Sequence, residues 1–303
     1  MVSISSRLLR GGKVAMKKKK ISPYFLMVLP AVILFFAFHT FPVLQGIFYS
    51  FTNWKGYGPW EFVGFKNYIN VFQDSRALDA YMFTFKFAIL STVLVNIISL
   101  AVALGLNSQI KFKKTLRGVY FMPNILSILI VGFIFNYIFA IFVPSIAENL
   151  GINSLTASIL GNPDLAWFGI VIVAVWQAAA FNTILYLAGL ATISTELYEA
   201  SSIDGANKWQ SFWKITFPLI APFFTINMVL AMKNFLMVFD HIMALTGGGP
   251  GRSTESISLL IYRGGFQGGE FAYQSANAVV YFIIIVTISV IQIRYLQKRE
   301  VQM

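Results

Sequence analysis

The chain has 303 residues, of which 57% are hydrophobic and 12% charged, with a mean hydropathy of +0.70. Soluble domains average about 25% charged residues, so this composition excludes an ordinary soluble enzyme or binding module and fits a polytopic membrane protein. The chain has no cysteine, which excludes a disulfide framework or a thiolate metal site, and two histidines, His39 and His241, are too few for a histidine-rich one. A formal charge of +11 would suit nucleic acid, but the basic residues are distributed as membrane topology would place them.

Residues 1–22 form a basic tail with Arg7, Arg10, Lys13 and Lys17 to Lys20. A solvated tail beside anionic lipid headgroups accounts for it better than a nucleic-acid arm. Met16, directly before the lysine run, is a second candidate start. The first apolar run, about 23–44, is too long for a signal-peptide core and no small-x-small cleavage site follows it, which predicts a retained span. Residues 49–80 are polar and aromatic, with Trp54, Trp60, Gly64 and Asn67, a mixture suited to a membrane interface.

Further spans are expected at about 81–106, 119–142, 167–190, 219–243 and 274–293, with a kink at Pro123 and a cytoplasmic C-terminus at 296–303. Spans of about 20 to 25 residues rise roughly 30 to 37 Å, enough for the hydrocarbon core. With the N-terminus inside, the inner segments hold sixteen Lys and Arg and the outer segments five, while Lys86 and Lys233 fall within spans. The positive-inside rule therefore predicts that both termini and residues 194–218 are cytoplasmic.

Residues 194–218 are a polar, amphipathic island between the fourth and fifth runs. Ser194 or Thr195 can cap a first short helix, with Glu196 and Glu199 near its positive end. Gly205 permits the turn that stops it. Asn207 can cap a second helix, on which Trp209, Phe212, Trp213, Thr216 and Phe217 share one face. Pro218 predicts a bend into the next span. An amphipathic hairpin on the membrane surface is the plain alternative, but anionic headgroups would repel its acids.

Glu199-Ala200-Ser201, Gly205, Ile215 and Pro218 reproduce the spacing of the EAA loop, E-A-A, three residues, G, nine residues, I-x-L-P. On these residues the chain resembles the bacterial ABC importer permeases, with Ser201 in place of the second alanine and Phe217 in place of the leucine. The IDGA stretch from Ile203, the FWKIT run from Phe212, the FVGFKNY phrase from Phe62 and LTGGGP at 245–250 resemble the carbohydrate, MalF-type branch.

The resemblance implies an all-α polytopic membrane protein with six transmembrane helices, the type I permease fold, and a cytoplasmic helix-turn-helix coupling loop. It implies a second permease subunit, a paralogue; an ABC ATPase dimer carrying ATP and Mg; an extracytoplasmic carbohydrate-binding protein; and a site in the bacterial cytoplasmic membrane among membrane lipid. Glu199 would face a basic residue of the ATPase beside Ala200 and Ser201, and Gly205 would set the angle between the helices. Trp209, Phe212 and Trp213 would fill an ATPase cleft or pack the hairpin on the spans, and Asp204 would contact the ATPase or cap locally. The substrate implied is an oligosaccharide, with glycerol phosphate or a polyol as alternatives. Gly247, Gly248, Gly249 and Pro250 would lie in an outer loop near the binding protein or the pathway mouth.

No P-loop and no serine–histidine–acid set is present, so this chain is expected to bind no cofactor, metal or nucleic acid and not to be an enzyme. A permease needs polar groups at membrane depth. Candidates are Asn124, Ser127 and Asn136 in the third span, Gln177 and Asn182 in the fourth with the aromatics Trp176 and Phe181, and Lys233, Asn234 and Asp240 in the fifth. Interhelical hydrogen bonding competes with pathway lining for each amide. Lys233, about 14 residues into its run and near 21 Å along a continuous helix, would need a wet cavity or an acidic partner. Lys233 and Asp240 are also the residues on which an ion-coupled secondary transporter would rest.

Overall fold

A computed structural model describes residues 23–108, 110–152 and 156–298. The expected basic tail at 1–22 and the end of the C-terminal segment, 299–303, lie outside the described residues. The chain divides into two units, Met1–Gln45 and Gly46–Met303. In the first, α1 (Pro23–Phe35) passes through a π-turn at Phe36–Thr40 into α2 (Phe41–Tyr49), whose last turn belongs to the second unit. None of residues 24–45 is buried. A helix that is apolar on every side requires lipid or other protein around it.

The second unit is helical almost throughout. It comprises α3 (Lys66–Gln73), α4 (Ser75–Asn107), α5 (Lys113–Ile125), α6 (Ile128–Tyr137), α7 (Val143–Asn149) and α8 (Ala166–Ala191). There follow α9 (Thr195–Ile203), α10 (Lys208–Ser211), α11 (Phe217–Leu219), α12 (Ala221–Leu236), α13 (Asp240–Leu245), α14 (Ile257–Phe266) and α15 (Phe271–Gln297). Among the described residues of the chain, five helices are long and apolar enough to cross a membrane, or six if the bent pair 208–219 and 221–236 is one span.

The centre of the unit is α4 packed along α8, with α12 against both. Phe87, Val95, Ile170, Val173, Leu236 and Ile242 are buried there. Small residues let the helices approach. A Cβ on Gly189 would stand 2.7 Å from the Phe223 ring, and one on Gly132 would stand 2.7 Å from the Ala244 side chain. Buried polar groups bond across the seam, as where the Tyr186 hydroxyl donates to Asn96 Oδ1 at 2.6 Å.

Prolines dictate where the helices widen. π-Turns at 36–40, 138–142 and 212–216 are each followed two residues later by a proline, Pro42, Pro144 and Pro218. A proline ring crowds the carbonyl four residues back and supplies no N–H to it. Those carbonyls belong to Phe38, Ala140 and Lys214, at the middle of each wide turn. The wider turn accommodates the ring while the helix continues.

Two spans differ from expectation, the one at 119–142, expected as a helix kinked at Pro123, and the one at 219–243, expected as a continuous helix. The third breaks at Leu126 and Ser127, both extended, three residues beyond Pro123, and then runs as helix from 128 to 149. Residues 143–149, beyond the expected end of that span, are therefore helical. The fifth bends by 69° at Ile220, between Pro218 and Pro222, rather than at Pro218 itself. It breaks again at 237–239, before α13.

At the start of α4, Arg76 binds Glu255 through two hydrogen bonds of 2.8 and 2.9 Å, and the Glu255 side chain is 4% exposed. Arg263 stands 4.0 Å from the same carboxylate. Ser256 caps α14 and donates to the Val238 carbonyl, while the Ile257 N–H donates to Thr84 Oγ1. The loop before α14 is thereby fastened to α4. The hairpin 195–219 lies at the other end of α4, where Leu104 joins Tyr198, Trp209 and Phe212 in lining a cleft of about 750 Å³.

Candidate functional site: an exposed hairpin and a cleft between broken helices

The hairpin is shaped by local chemistry. Ser194 caps α9, its Oγ accepting from the Glu196 N–H. At the other end Gly205 has φ +75°, the Ala206 N–H donates to Ser201 O and the Gly205 N–H donates to Ser202 O. This glycine stop satisfies the last carbonyls of the helix. Asn207 and Gln210 form a reciprocal capping box at the start of α10. Two hydroxyl pairs clasp the arms, Ser201 with Ser211 at 2.8 Å and Tyr198 with Thr216 at 3.0 Å. Trp209, Trp213, Phe217 and Phe224 follow one another in edge and tilted contacts, carrying the aromatic face of the hairpin into α12.

Glu199, Ala200 and Asp204 are exposed, and neither carboxylate has a hydrogen-bond or ion-pair partner among the described residues. Asp204 closes α9 through its backbone N–H to Ala200 O, and its carboxylate makes no local capping bond. Ile203 at the tip is 87% exposed and Trp209 69%, so an apolar surface is presented beside two free acids. Phe212 is half-buried, Trp213 is exposed, and Ser201 is buried between the arms.

The polar residues of the broken spans fall into two groups. Ser127 precedes α6 with an exposed side chain that caps nothing, and Asp240 opens α13. Both line a cleft of about 570 Å³ with Phe133 and Met243. Asn124, Asn234 and Phe181 are exposed, and Trp176 is 40% exposed beside Phe135. Gln177 and Asn182 are buried and committed. Asn182 Nδ2 donates to Ala178 O in its own helix, and Asn136 bonds Leu245 O. Gln177 Nε2 donates to Pro123 O at 3.2 Å and Leu126 O at 3.1 Å, while its Oε1 lies 2.9 Å from His241 Nε2.

Lys233 does not sit deep in a continuous helix. The break after Leu236 leaves it in the last turn of α12, its side chain exposed, where a cation opposes the negative helix end. Among the described residues neither Lys233 nor Asp240 forms an ion pair. His241, which its apolar sequence context gave no reason to select, proves to be the polar contact between α13 and α8.

Residues 246–256 form a built loop. The Thr246 and Thr254 hydroxyls pair at 2.8 Å, Thr254 Oγ1 donates to Gly249 O, and the Gly248 N–H donates to Thr246 Oγ1. Gly247 and Gly248 have φ of +56° and +85°, and a Cβ on Gly248 would meet Leu259 at 2.8 Å. Gly249 and Pro250 follow in the same loop.

Apolar spans with breaks at polar residues, beside an exposed hairpin, define a membrane transport component. Residues 97–302 match the family described as binding-protein-dependent transport system inner membrane component, and the chain belongs to that family. It is 38% identical over 280 residues to the probable starch degradation products transport system permease protein AmyD of Thermoanaerobacterium thermosulfurigenes, covering 92% of this chain and 96% of that one. It is 39% identical over 271 residues to the multiple sugar-binding transport system permease protein MsmF of Streptococcus mutans, covering 89% and 93%. A chain in the crystal structure of a bacterial alginate ABC transporter, in complex with alginate pentasaccharide-bound periplasmic protein, superposes with a TM-score of 0.78 at 25% identity, covering 89% of this chain and 92% of that one. The chain is a multi-pass inner-membrane permease with the fold of ABC importer permeases.

Proposed function

We propose that this chain is one of two permease subunits enclosing the pathway of an ABC importer for a carbohydrate, an oligosaccharide by preference. Residues 194–218 would be its coupling loop to an ABC ATPase dimer, which would bind ATP and Mg. The observation that carries this reading is the hairpin, with Glu199 and Asp204 unpaired beside exposed Ile203 and Trp209. A clasped hairpin continued by aromatic contacts into α12 can transmit rotation of a docked ATPase to the spans as a rigid element. The positive-inside count supports a cytoplasmic hairpin and cytoplasmic termini. The loop at 246–256 then faces outward, toward an extracytoplasmic binding protein. The starch-product and multiple-sugar relatives support a carbohydrate substrate. An ion-coupled carrier has no use for the hairpin, and its two charges do not pair.

The test is purification of the tagged chain in mild detergent, followed by reconstitution. An ATP-hydrolysing subunit and a second permease should co-purify, and vesicles should take up maltotriose only with a binding protein outside and ATP inside. Purification of a lone chain, with uptake driven by a proton or sodium gradient, would overturn the reading.

Ser201 gives a smaller prediction. Ser201→Ala removes one partner of the hydroxyl pair and should lower stability by about 1 kcal/mol. That should appear as a small fall in detergent melting temperature with ATPase association retained. A loss of association as large as that of Glu199→Ala would show that Ser201 contacts the partner directly.

A further inference from the structure

The two walls of the cleft between Ser127 and Asp240 are ends of broken helices, which are loose places for a substrate surface. A break at membrane depth frees backbone carbonyls that water cannot satisfy. In the third span, Pro123 O has no helical N–H to accept from because Leu126 and Ser127 are extended. One side chain repairs the break. Gln177, 9% exposed on α8, donates both amide hydrogens, one to Pro123 O and one to Leu126 O. Its remaining polar atom, Oε1, accepts from His241 Nε2, which requires the proton on that nitrogen. Every polar atom of Gln177 therefore has a partner, and both of its amide hydrogens are committed to backbone and not to a substrate.

The placement of these bonds matters more than their number. Leu126 immediately precedes Ser127, and His241 immediately follows Asp240. The same amide thus holds the residue next to each cleft wall. We infer that Gln177 is a positioning residue, which with His241 sets the separation of Ser127 and Asp240 and so the width of the surface offered to carbohydrate hydroxyls. The inference rests on the permease reading for the substrate, but its geometric half does not. Close packing of Gly132 on Ala244 and the Asn136 bond to Leu245 O hold α6 against α13 farther along, so loss of Gln177 should open the break without separating the helices.

The chain has no native cysteine, which makes the width measurable. Ser127→Cys and Asp240→Cys are introduced together in the full chain, assembled in membranes, and treated with bifunctional thiol reagents of graded length. Met228→Cys with Gln292→Cys, two half-buried positions across α12 and α15 where Gln292 Nε2 lies 3.2 Å from Met228 O, serves as the control pair. Gln177→Leu should reduce cross-linking by the best-fitting reagent about tenfold, the population ratio that corresponds to about 1.4 kcal/mol. His241→Asn, which cuts only the α13 side, should shift the preferred length less, and the control pair should be unchanged in both. Parallel loss at both pairs would mean general unfolding and would overturn a positioning role, as would unchanged cross-linking at Ser127 and Asp240. In reconstituted vesicles Gln177→Leu made with Ser127 and Asp240 intact should lower maltotriose uptake in step with its loss of cross-linking. Altered cross-linking with normal uptake would overturn the cleft as a substrate surface. Failure of the unmodified complex to take up maltotriose would count against the carbohydrate reading alone.

Discussion

Gly205→Val is expected to abolish ATPase-driven uptake while leaving the spans folded, and Gly205→Asn is expected to retain most of it. Gly205 has φ +75° and nothing within 4 Å of an added Cβ, so the obstacle to a side chain is backbone strain, not space. A β-branched residue is a true outlier in that conformation, costing at least the roughly 1–2 kcal/mol of an ordinary left-handed residue, whereas asparagine visits it readily. Relief of the strain would break the paired carbonyl bonds from Gly205 and Ala206 and change the angle between α9 and α10. The spans should not feel the change, because Gly205 is exposed at the hairpin tip. Glu199→Ala complements it. That carboxylate is exposed and unpartnered, so its loss should leave the melting temperature alone while weakening co-purification with the ATPase. Equal uptake by Gly205→Val and the unmodified protein would remove the hairpin from the coupling pathway.

Arg76→Ala should be the most destabilising single change at the other end of the molecule. Glu255 is 4% exposed and takes two hydrogen bonds from Arg76, while Arg263 is a weaker neighbour at 4.0 Å. Breaking a buried pair by removing one partner costs about 3–5 kcal/mol, because the remaining charge stays buried. The lower end applies here, since Arg76 is 35% exposed and Arg263 compensates in part. The expected readout is a clear fall in detergent melting temperature together with protease cleavage in 246–256. Arg76→Ala combined with Glu255→Gln should recover part of the loss, because no buried charge is then left unpaired. A double variant as unstable as the sum of the two single variants would show that the pair acts through packing and not charge.

Ser194, Gly205 and Asn207 could be read from the chain because caps and glycine stops are decided within a few residues. The Ser194 and Asn207 side chains accept from backbone N–H groups two and three positions on, the Gly205 N–H donates three positions back, and no distant contact has to agree. Pro123 and Pro218 were legible in part for the same reason. Pro42, Pro144 and Pro218 each act on a carbonyl four residues back, yet the outcome, a wide turn or a break, depends on what packs around them. Pro123 shows the difference, because the break falls at Leu126 and Ser127, where an amide from another helix stands ready to take the freed carbonyls.

The sequence by itself determined a membrane chain with apolar runs, the spacing of the EAA loop and the uneven placing of its basic residues. All of these are properties of composition or of short-range order, where hydrophobic runs and local hydrogen bonds dominate. The tertiary structure alone decided which polar residues are committed and which are free. Gln177 and Asn182 look alike in the chain as Ser127 and Asp240 do, yet the first two are consumed by backbone and histidine while the latter two line a cleft. Arg76 meets Glu255 across 179 residues, and His241 meets Gln177 across 64. The physical reason is that a buried polar group must find a partner somewhere, and in a bundle of apolar helices that partner is set by packing between distant segments, to which local pattern is blind.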